Sequence, residues 1–381
     1  MIYYFCSFGT AFSEEVIKRN LVTSQAGSNR ISEIVHTLCK ENDITIVNIA
    51  LTKADKNFDE YIEKTTLGYH VYFPKIECGR LQNIKLICNA IQFVKKNIKS
   101  GDIIMFYNAH YLMLPIMYTF AHKKNIKIVY QIEELYSTCD YYHSLKRKLL
   151  TFSEKQMSKL CDAYITVSSA ICNPYLEKKP SMVSYGYLDN DARIQEVISN
   201  TTDRLNVVYS GRLDVDGGID VLLRAIPNIK CECNLIITGS GPLKNQVMEY
   251  HNTNKNVNLD YKGFVSDEEL SDILKKADIC LSMLRTDKAF SQKSFPSKVV
   301  KYLSYGNMVL SSNVPALKEL KEKFSNLLIY TNEEEFVEMI NKVEKQETLE
   351  KEKQKKQFLD FYDGERTKLV QFFENIKRGE A

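Results

Sequence analysis

The sequence predicts an open α/β architecture in two tandem domains, and three observations carry that reading. Short apolar runs alternate with longer amphipathic ones along the chain. Several of the short runs are apolar on both parities, as parallel strands covered on both faces are. The alternation breaks once, around 173–203, and then restarts. A length of 381 residues suits two domains at about 100–200 residues each.

In the first half, strands are expected at 2–7, 44–49, 103–107, 126–131 and 164–167. Ile31, Ile34, Val35 and Leu38 fall at i, i+3, i+4 and i+7, one face of a helix between the first two strands. Pro174, Pro180, Gly186 and the polar run Ser199-Asn200-Thr201-Thr202 mark the junction. Beyond it, strands are expected at 205–209, 234–238, 257–261, 279–283, 308–312 and 327–330, and helices at 219–225, 243–250, 267–276, 297–305 and 333–343. The tail, 347–378, is charge-rich and helical in pattern. Its charge run 351–356 reads as a solvated helix face. Leu369, Phe372, Phe373 and Ile376 keep an apolar stripe, so this end is expected to dock on a core.

Composition excludes several classes. Hydrophobic residues make up 44% and charged residues 26%, which rules out a disordered chain, a collagen-like fibre and a disulfide-knot peptide. Lys+Arg is 51 against 48 Asp+Glu, a net charge of +3, so nucleic acid is not indicated. The 10 cysteines are scattered, and the nearest pair, Cys231-Glu232-Cys233, lacks the spacing of a zinc site. Most of them lie in apolar runs and read as small core residues in a reducing cytosol. No apolar stretch is long enough to cross a membrane. The apolar start Met1-Ile2-Tyr3-Tyr4-Phe5-Cys6 is short and lacks a basic lead, which marks a buried first strand rather than a signal peptide. The expected location is cytoplasmic.

Four turns stand out as candidate anion sites. The strand 205–209 runs into Ser210-Gly211-Arg212-Leu213 and then Asp216-Gly217-Gly218. The strand 234–238 ends in Gly239-Ser240-Gly241-Pro242, and a third turn is Gly263-Phe264-Val265-Ser266. The fourth is Phe295-Pro296-Ser297-Lys298, before a helix that ends near Gly306. Small residues let backbone N–H groups approach an anion, and Arg212 offers a forked, fixed charge. Each alone is equally an ordinary tight turn or helix cap. Four in order after successive strands point to a ligand at the carboxyl edge of the sheet.

In that order these motifs resemble the donor domain of family-4 glycosyltransferases. Asp162-Ala163-Tyr164-Ile165-Thr166-Val167-Ser168 resembles the strand near the end of that family's first domain. The resemblance implies the GT-B fold: an α/β protein with two Rossmann-like domains facing across a cleft, and a C-terminal helix crossing back to the first. It implies an acceptor-binding domain at 1–185, a nucleotide-sugar domain at 186–355 and the crossing helix at 356–381. It implies transfer of a sugar, with retention, from a nucleotide-diphosphate sugar, a UDP-sugar foremost, to a glycan, glycolipid or glycoprotein acceptor. No metal and no further cofactor is implied. Arg212 would contact the donor diphosphate, with Gly211, Gly239, Ser240 and Gly241 in the turns beside it. Gly263, Phe264 and Val265 would hold the base through backbone groups. Pro296, Ser297 and Lys298 would lie at the phosphates. Gly27 and Ser28 would sit where the family's N-terminal glycine loop approaches donor and acceptor.

Three departures from the family pattern matter. Gly217 stands where members often carry Lys. Lys293 and Lys301 stand at the two positions of a glutamate pair that contacts sugar and ribose. A cation cannot accept hydrogen bonds from sugar hydroxyls, so these lysines either supply charge to the diphosphate or are merely solvated. Glu133-Glu134 follows the strand after which the family often has His. The pair reads either as an acid/base or acceptor-orienting site, or as the start of a helix. His110, at the expected edge of its domain, is a candidate site residue or a structural histidine. The candidate catalytic set is therefore Arg212, Lys298, Glu133 and His110. The basic stretch Lys146-Arg147-Lys148, interleaved with Leu145, Leu149, Leu150 and Phe152, fits either an anionic membrane face or an ordinary surface helix. The competing functional readings are a non-catalytic GT-B partner of another transferase, favoured by the two lysines, and a GT-B sugar-nucleotide epimerase.

Overall fold

The structure is a computed structural model that describes residues 1–380 except 10–13, 109, 122, 124, 139–143, 172–175, 189–190, 199–201, 252–253 and 289–290. Pro174, Ser199-Asn200-Thr201, Cys139, Cys172, His122 and His143 lie outside the described residues. The chain divides into two compact units, Met1–Tyr185 with Glu365–Ala381, and Gly186–Gly364.

The first unit contains β1 (Ile2–Cys6), β2 (Ile44–Asn48), β3 (Tyr61–Lys64), β4 (His70–Phe73), β5 (Ile103–Tyr107), β6 (Lys127–Ile132), β7 (Ala163–Thr166) and β8 (Ser181–Val183). They form one sheet in the order β3-β4-β2-β1-β5-β6-β7-β8. β1 lies parallel between β2 and β5, with Ile2 opposite Ile44 and Ile103. All five of its residues are buried, which is why both parities of the sequence are apolar. The edge pair β3–β4 is antiparallel. β3 is exposed at every position, so it carries no apolar run by which the sequence could announce it. The helix Gln25–Leu38 buries Ile31, Ile34, Val35 and Leu38 against this sheet.

The tail is one helix, Thr348–Arg378. Leu369, Phe373 and Ile376 belong to the first unit's core, and Phe372 packs against it. Arg366 makes two hydrogen bonds to the Glu33 carboxylate, at 2.6 and 2.9 Å. Glu33 is buried, so this pair carries a charge out of water and is paired for that reason. The earlier part of the helix buries Phe358 and Tyr362, and the Tyr362 hydroxyl donates to the Gly186 carbonyl. The run 351–356 is not simply a solvated face. Lys351 is buried and donates to the Lys275 and Ala277 carbonyls at the end of the helix Asp267–Lys275, while Lys355 donates to Gln195. Those carbonyls lack helical partners, and an ammonium there satisfies them.

The second unit contains β9 (Leu205–Ser210), β10 (Cys233–Thr238), β11 (Val257–Gly263), β12 (Ile279–Ser282), β13 (Met308–Ser312) and β14 (Leu327–Tyr330). Their order is β11-β10-β9-β12-β13-β14, and every pairing is parallel. The strand order reverses between β9 and β12. In an open parallel sheet, that reversal leaves a crevice at the carboxyl ends of the strands. The core beneath it is built from Val207, Leu235, Ile237, Ile279, Leu281 and Leu310.

Candidate functional site

The second unit brings the four predicted turns together at the carboxyl edge of its sheet, three through backbone hydrogen bonds and the fourth through Lys298. The Gly211 N–H donates to the Thr238 carbonyl, and the Leu213 N–H to the Ser240 carbonyl. The Gly239 N–H donates to Gly263 at 2.7 Å, and the Tyr261 hydroxyl to the Gly239 carbonyl at 3.0 Å. Gly239 has φ +124°, and a methyl group there would overlap the Gly211 carbonyl. Only glycine lets the turns after β9 and β10 lie backbone against backbone. A Cβ at Gly241 would come within 2.5 Å of the Leu213 carbonyl.

The turn after β9 is held by residues that the motif reading passed over. The Tyr209 hydroxyl lies 2.8 Å from the Arg212 carbonyl and 3.0 Å from that of Gly217. Burial pushes its pKa far up, so it stays a donor. Asp214 accepts the Gly217 N–H at 2.7 Å and pairs with Arg212 at 2.6 Å. An acid three residues before a glycine in a turn is the signal that could have found it. At Gly217 a Cβ would come within 2.6 Å of the Arg212 carbonyl, so the turn has no room for the lysine that the family often carries.

Arg212 is 81% exposed, and Asp214 holds the end of its guanidinium at 2.6 Å from Nη2. Lys298 opens the helix Lys298–Ser304, and its ammonium lies 5.0 Å from the centre of the Tyr209 ring, immediately over Gly211. Burial pulls its pKa down to about 8, against the upward pull of Asp214. An incoming anion would raise it again. Pro296 is buried and its carbonyl accepts from Val299, while Ser297 is exposed and makes no capping hydrogen bond. Lys293 is half-buried at the end of the turn Ser291–Lys293, and Lys301 lies 3.9 Å from Asp267. Phe264 is 86% exposed beside Gly263, and Val265 is half-buried. The arrangement presents two cations, Arg212 and Lys298, and a set of close backbone turns at one sheet edge. That chemistry suits a diphosphate.

In the first unit, the other candidates lie at the carboxyl ends of β1, β5 and β6. Gly27 and Ser28 stand in the first turn of the helix Gln25–Leu38. The Ser28 hydroxyl donates to the Gly9 carbonyl and accepts the Gly9 N–H, so it fixes the loop after β1. The Gly27 N–H reaches the Ser24 hydroxyl, the helix cap. Glu133 does not begin an α-helix; a bend leads instead to the short 3₁₀ turn Tyr136–Thr138. Its carboxylate is held by Arg30 at 2.9 Å and Gln131 at 2.5 Å. Arg30 was legible only as a charge beside the inward stripe of its helix.

His110 caps the 3₁₀ turn Tyr111–Met113 by accepting the Leu112 N–H at Nδ1, 3.3 Å away. Its proton therefore sits on Nε2, where the ring can donate but not act as a base. Burial, aided by Lys146, lowers its pKa to about 4. An unfolded histidine takes up its proton near 6.5. Between those values the unfolded chain binds the extra proton, so acidification favours unfolding, by up to about 3 kcal/mol. His110→Asn keeps an acceptor for Leu112 and removes the titration. Urea unfolding at pH 7 and about pH 4.5 should show a smaller acid loss for this variant than for the parent.

Among the described residues, no cluster of His, Cys, Asp or Glu is arranged to hold a metal ion.

Comparison with known proteins fits this geometry. Residues 190–358 match the family model for glycosyl transferases group 1. The phosphatidylinositol N-acetylglucosaminyltransferase GPI3 subunit of Saccharomyces cerevisiae (strain YJM789) is 24% identical over 222 residues, 53% of this chain and 47% of that protein. The match thus spans about half the length of this curated relative. Sucrose-phosphate synthase from Thermosynechococcus elongatus aligns with TM-score 0.67 and 13% identity, covering 99% of each chain. HepE of Anabaena, solved in complex with UDP, aligns with TM-score 0.62 and 12% identity, over 99% of this chain and 98% of its own. The lipopolysaccharide outer core galactosyltransferase WaaB, in its apo form, aligns with TM-score 0.62 and 15% identity over 100% and 99%. The chain has the GT-B fold of the glycosyltransferases. The stretch that matches the group 1 glycosyltransferase model lies within the second unit.

Proposed function

We propose that this protein transfers a sugar, with retention of configuration, from a nucleoside-diphosphate sugar, a UDP-sugar foremost, to a glycan, glycolipid or glycoprotein acceptor during surface polysaccharide or glycoconjugate synthesis. The observation that carries the reading is the seat of Lys298 over Gly211, beside the exposed Arg212, at the switch point of the second unit's sheet. As the glycosidic bond breaks, negative charge gathers on the leaving diphosphate. Two fixed cations at that place stabilise the transition state more than the ground state. The UDP complex of HepE supports UDP as the nucleotide.

We place the protein in the cytoplasm, touching the inner face of the membrane. The helix Ser144–Leu160 supports this: Leu145, Leu149 and Phe152 are exposed at i, i+4 and i+7 of a helix that also carries Lys146, Arg147 and Lys148. Among the described residues, no helix is long and apolar enough to cross a membrane.

The test is incubation of purified protein with labelled UDP-glucose, UDP-galactose and UDP-N-acetylglucosamine and a lipid-glycan extract. Label should enter glycan or glycolipid with the anomeric configuration of the donor. Label entering with the inverted configuration overturns retention. No incorporation, from protein that binds no nucleotide, favours the second reading: a non-catalytic partner of another transferase, for which Lys293 and Lys301 speak.

A further inference from the structure

β3 is an open edge of the first unit's sheet. Only β4 borders it, antiparallel, with Tyr61 opposite Phe73, Ile62 opposite Tyr72, Glu63 opposite Val71 and Lys64 opposite His70. The Thr65 N–H donates to the Tyr69 carbonyl at 2.9 Å, so the bonded pairs alternate from there and fall on Glu63 and Tyr61. Ile62 and Lys64 therefore turn their backbone N–H and C=O groups outward. The other sheet edges, β8, β11 and β14, are different. Each has buried or half-buried positions, and β11 closes an ion pair within itself between Asp260 and Lys262. β3 is exposed at every position, Tyr61 to 45% and Ile62 to 48%.

A bare edge with apolar side chains is a template for another strand, and charges on it usually block that use. Here the charges favour one partner. The edge reads Glu60-Tyr61-Ile62-Glu63-Lys64. Glu60 is exposed, and one of its oxygens accepts the Tyr72 hydroxyl at 2.8 Å, which keeps it on the face that Ile62 shares with Tyr72. Lys64 lies on that face too, two residues beyond Ile62. A second copy set antiparallel about a two-fold axis through Ile62 exchanges both backbone bonds between the two Ile62 residues. At each end of that ladder, Glu60 of one copy then lies opposite Lys64 of the other, and Tyr61 lies opposite Glu63. An axis at Glu63 instead sets two carboxylates against each other, and one at Lys64 sets two ammonium groups against each other. An axis at Tyr61 leaves Lys64 without Glu60. Opposite charges facing across a strand pair stabilise it and like charges destabilise it, so the pattern selects Ile62.

We infer that β3 pairs with β3 of a second copy of this chain, antiparallel about Ile62, and joins the two first-unit sheets edge to edge. The two isoleucines cover each other at the axis, and the Glu60–Lys64 pairs at the ends fix the register. The ladder is short, so the dimer is a weak one that forms as protein concentration rises. It uses no residue of the candidate site and stands apart from the transferase reading.

The test is sedimentation equilibrium on the full-length protein, on Glu60→Lys, on Lys64→Glu and on an equimolar mixture of the two variants. The parent should pass from monomer to dimer as concentration rises. Each variant alone sets like charges opposite at both ends of the ladder, and should associate about tenfold more weakly or worse. In the mixture each end again opposes an acid to a base, so association should return to the parental level. Parent protein that stays monomeric up to about 1 mM overturns the inference and leaves the edge to a strand of another protein. Variants that dimerise as the parent does place the contact elsewhere and overturn it too. A mixture that fails to recover, when each variant alone is monomeric, overturns the pairing about Ile62.

Discussion

Replacing Lys298 with alanine is expected to lower turnover by about 10²–10³-fold while leaving the fold intact. The ammonium sits over Gly211 and the Tyr209 ring, at the carboxyl end of the strand where the sheet order reverses. Part of its charge is answered by Asp214, which also steadies Arg212. Its removal deprives the leaving diphosphate of a cation fixed in advance, so the loss should fall on kcat. Gly211→Ala provides an independent check, because a methyl group there would collide with the Lys298 ammonium. It should displace the same charge and reproduce part of the defect without removing it. Steady-state kinetics on both variants, with thermal unfolding as a control for folding, decides the point. Equal kcat in parent and Lys298→Ala would remove this residue from the mechanism.

The largest stability effect is expected in the tail. Phe373→Ala should cost about 3–5 kcal/mol of unfolding free energy. The ring is fully buried within the first unit's core, between Leu369 and Ile376 on the same helix face. Alanine leaves a cavity that the surrounding strands can fill only in part. Arg366 adds to the attachment through its two hydrogen bonds to buried Glu33. Chemical denaturation followed by circular dichroism measures the loss. A change below about 1 kcal/mol would mean that the tail only rests on this unit.

Much of the architecture was legible because parallel strands buried on both faces are apolar on both parities. β1, β5 and β6 are of this kind, and so are β9 and β12 of the second unit. β3 was not, because an exposed edge strand needs no apolar pattern. The tail shows how a local rule fails. Lys351 lies seven residues before Phe358 and so on its inward face, but a run of charges reads as solvated unless the stripe is followed backwards. Of the site, the glycine turns were legible because each ends a strand. Tyr209, Asp214, Arg30 and Asn108 were not. They act by holding carbonyls, N–H groups or charges that are distant in sequence or that only the folded turn brings near.

The central claim is that the second unit's sheet edge binds a nucleoside diphosphate through Arg212 and Lys298. Calorimetric titration of the protein with UDP, GDP and CDP, repeated on Lys298→Ala, tests it most directly. The expected result is saturable binding of one nucleotide per chain, UDP foremost, and weaker binding of it by the variant. Folded protein that binds none of the three, or a variant that binds as tightly as the parent, would contradict the claim.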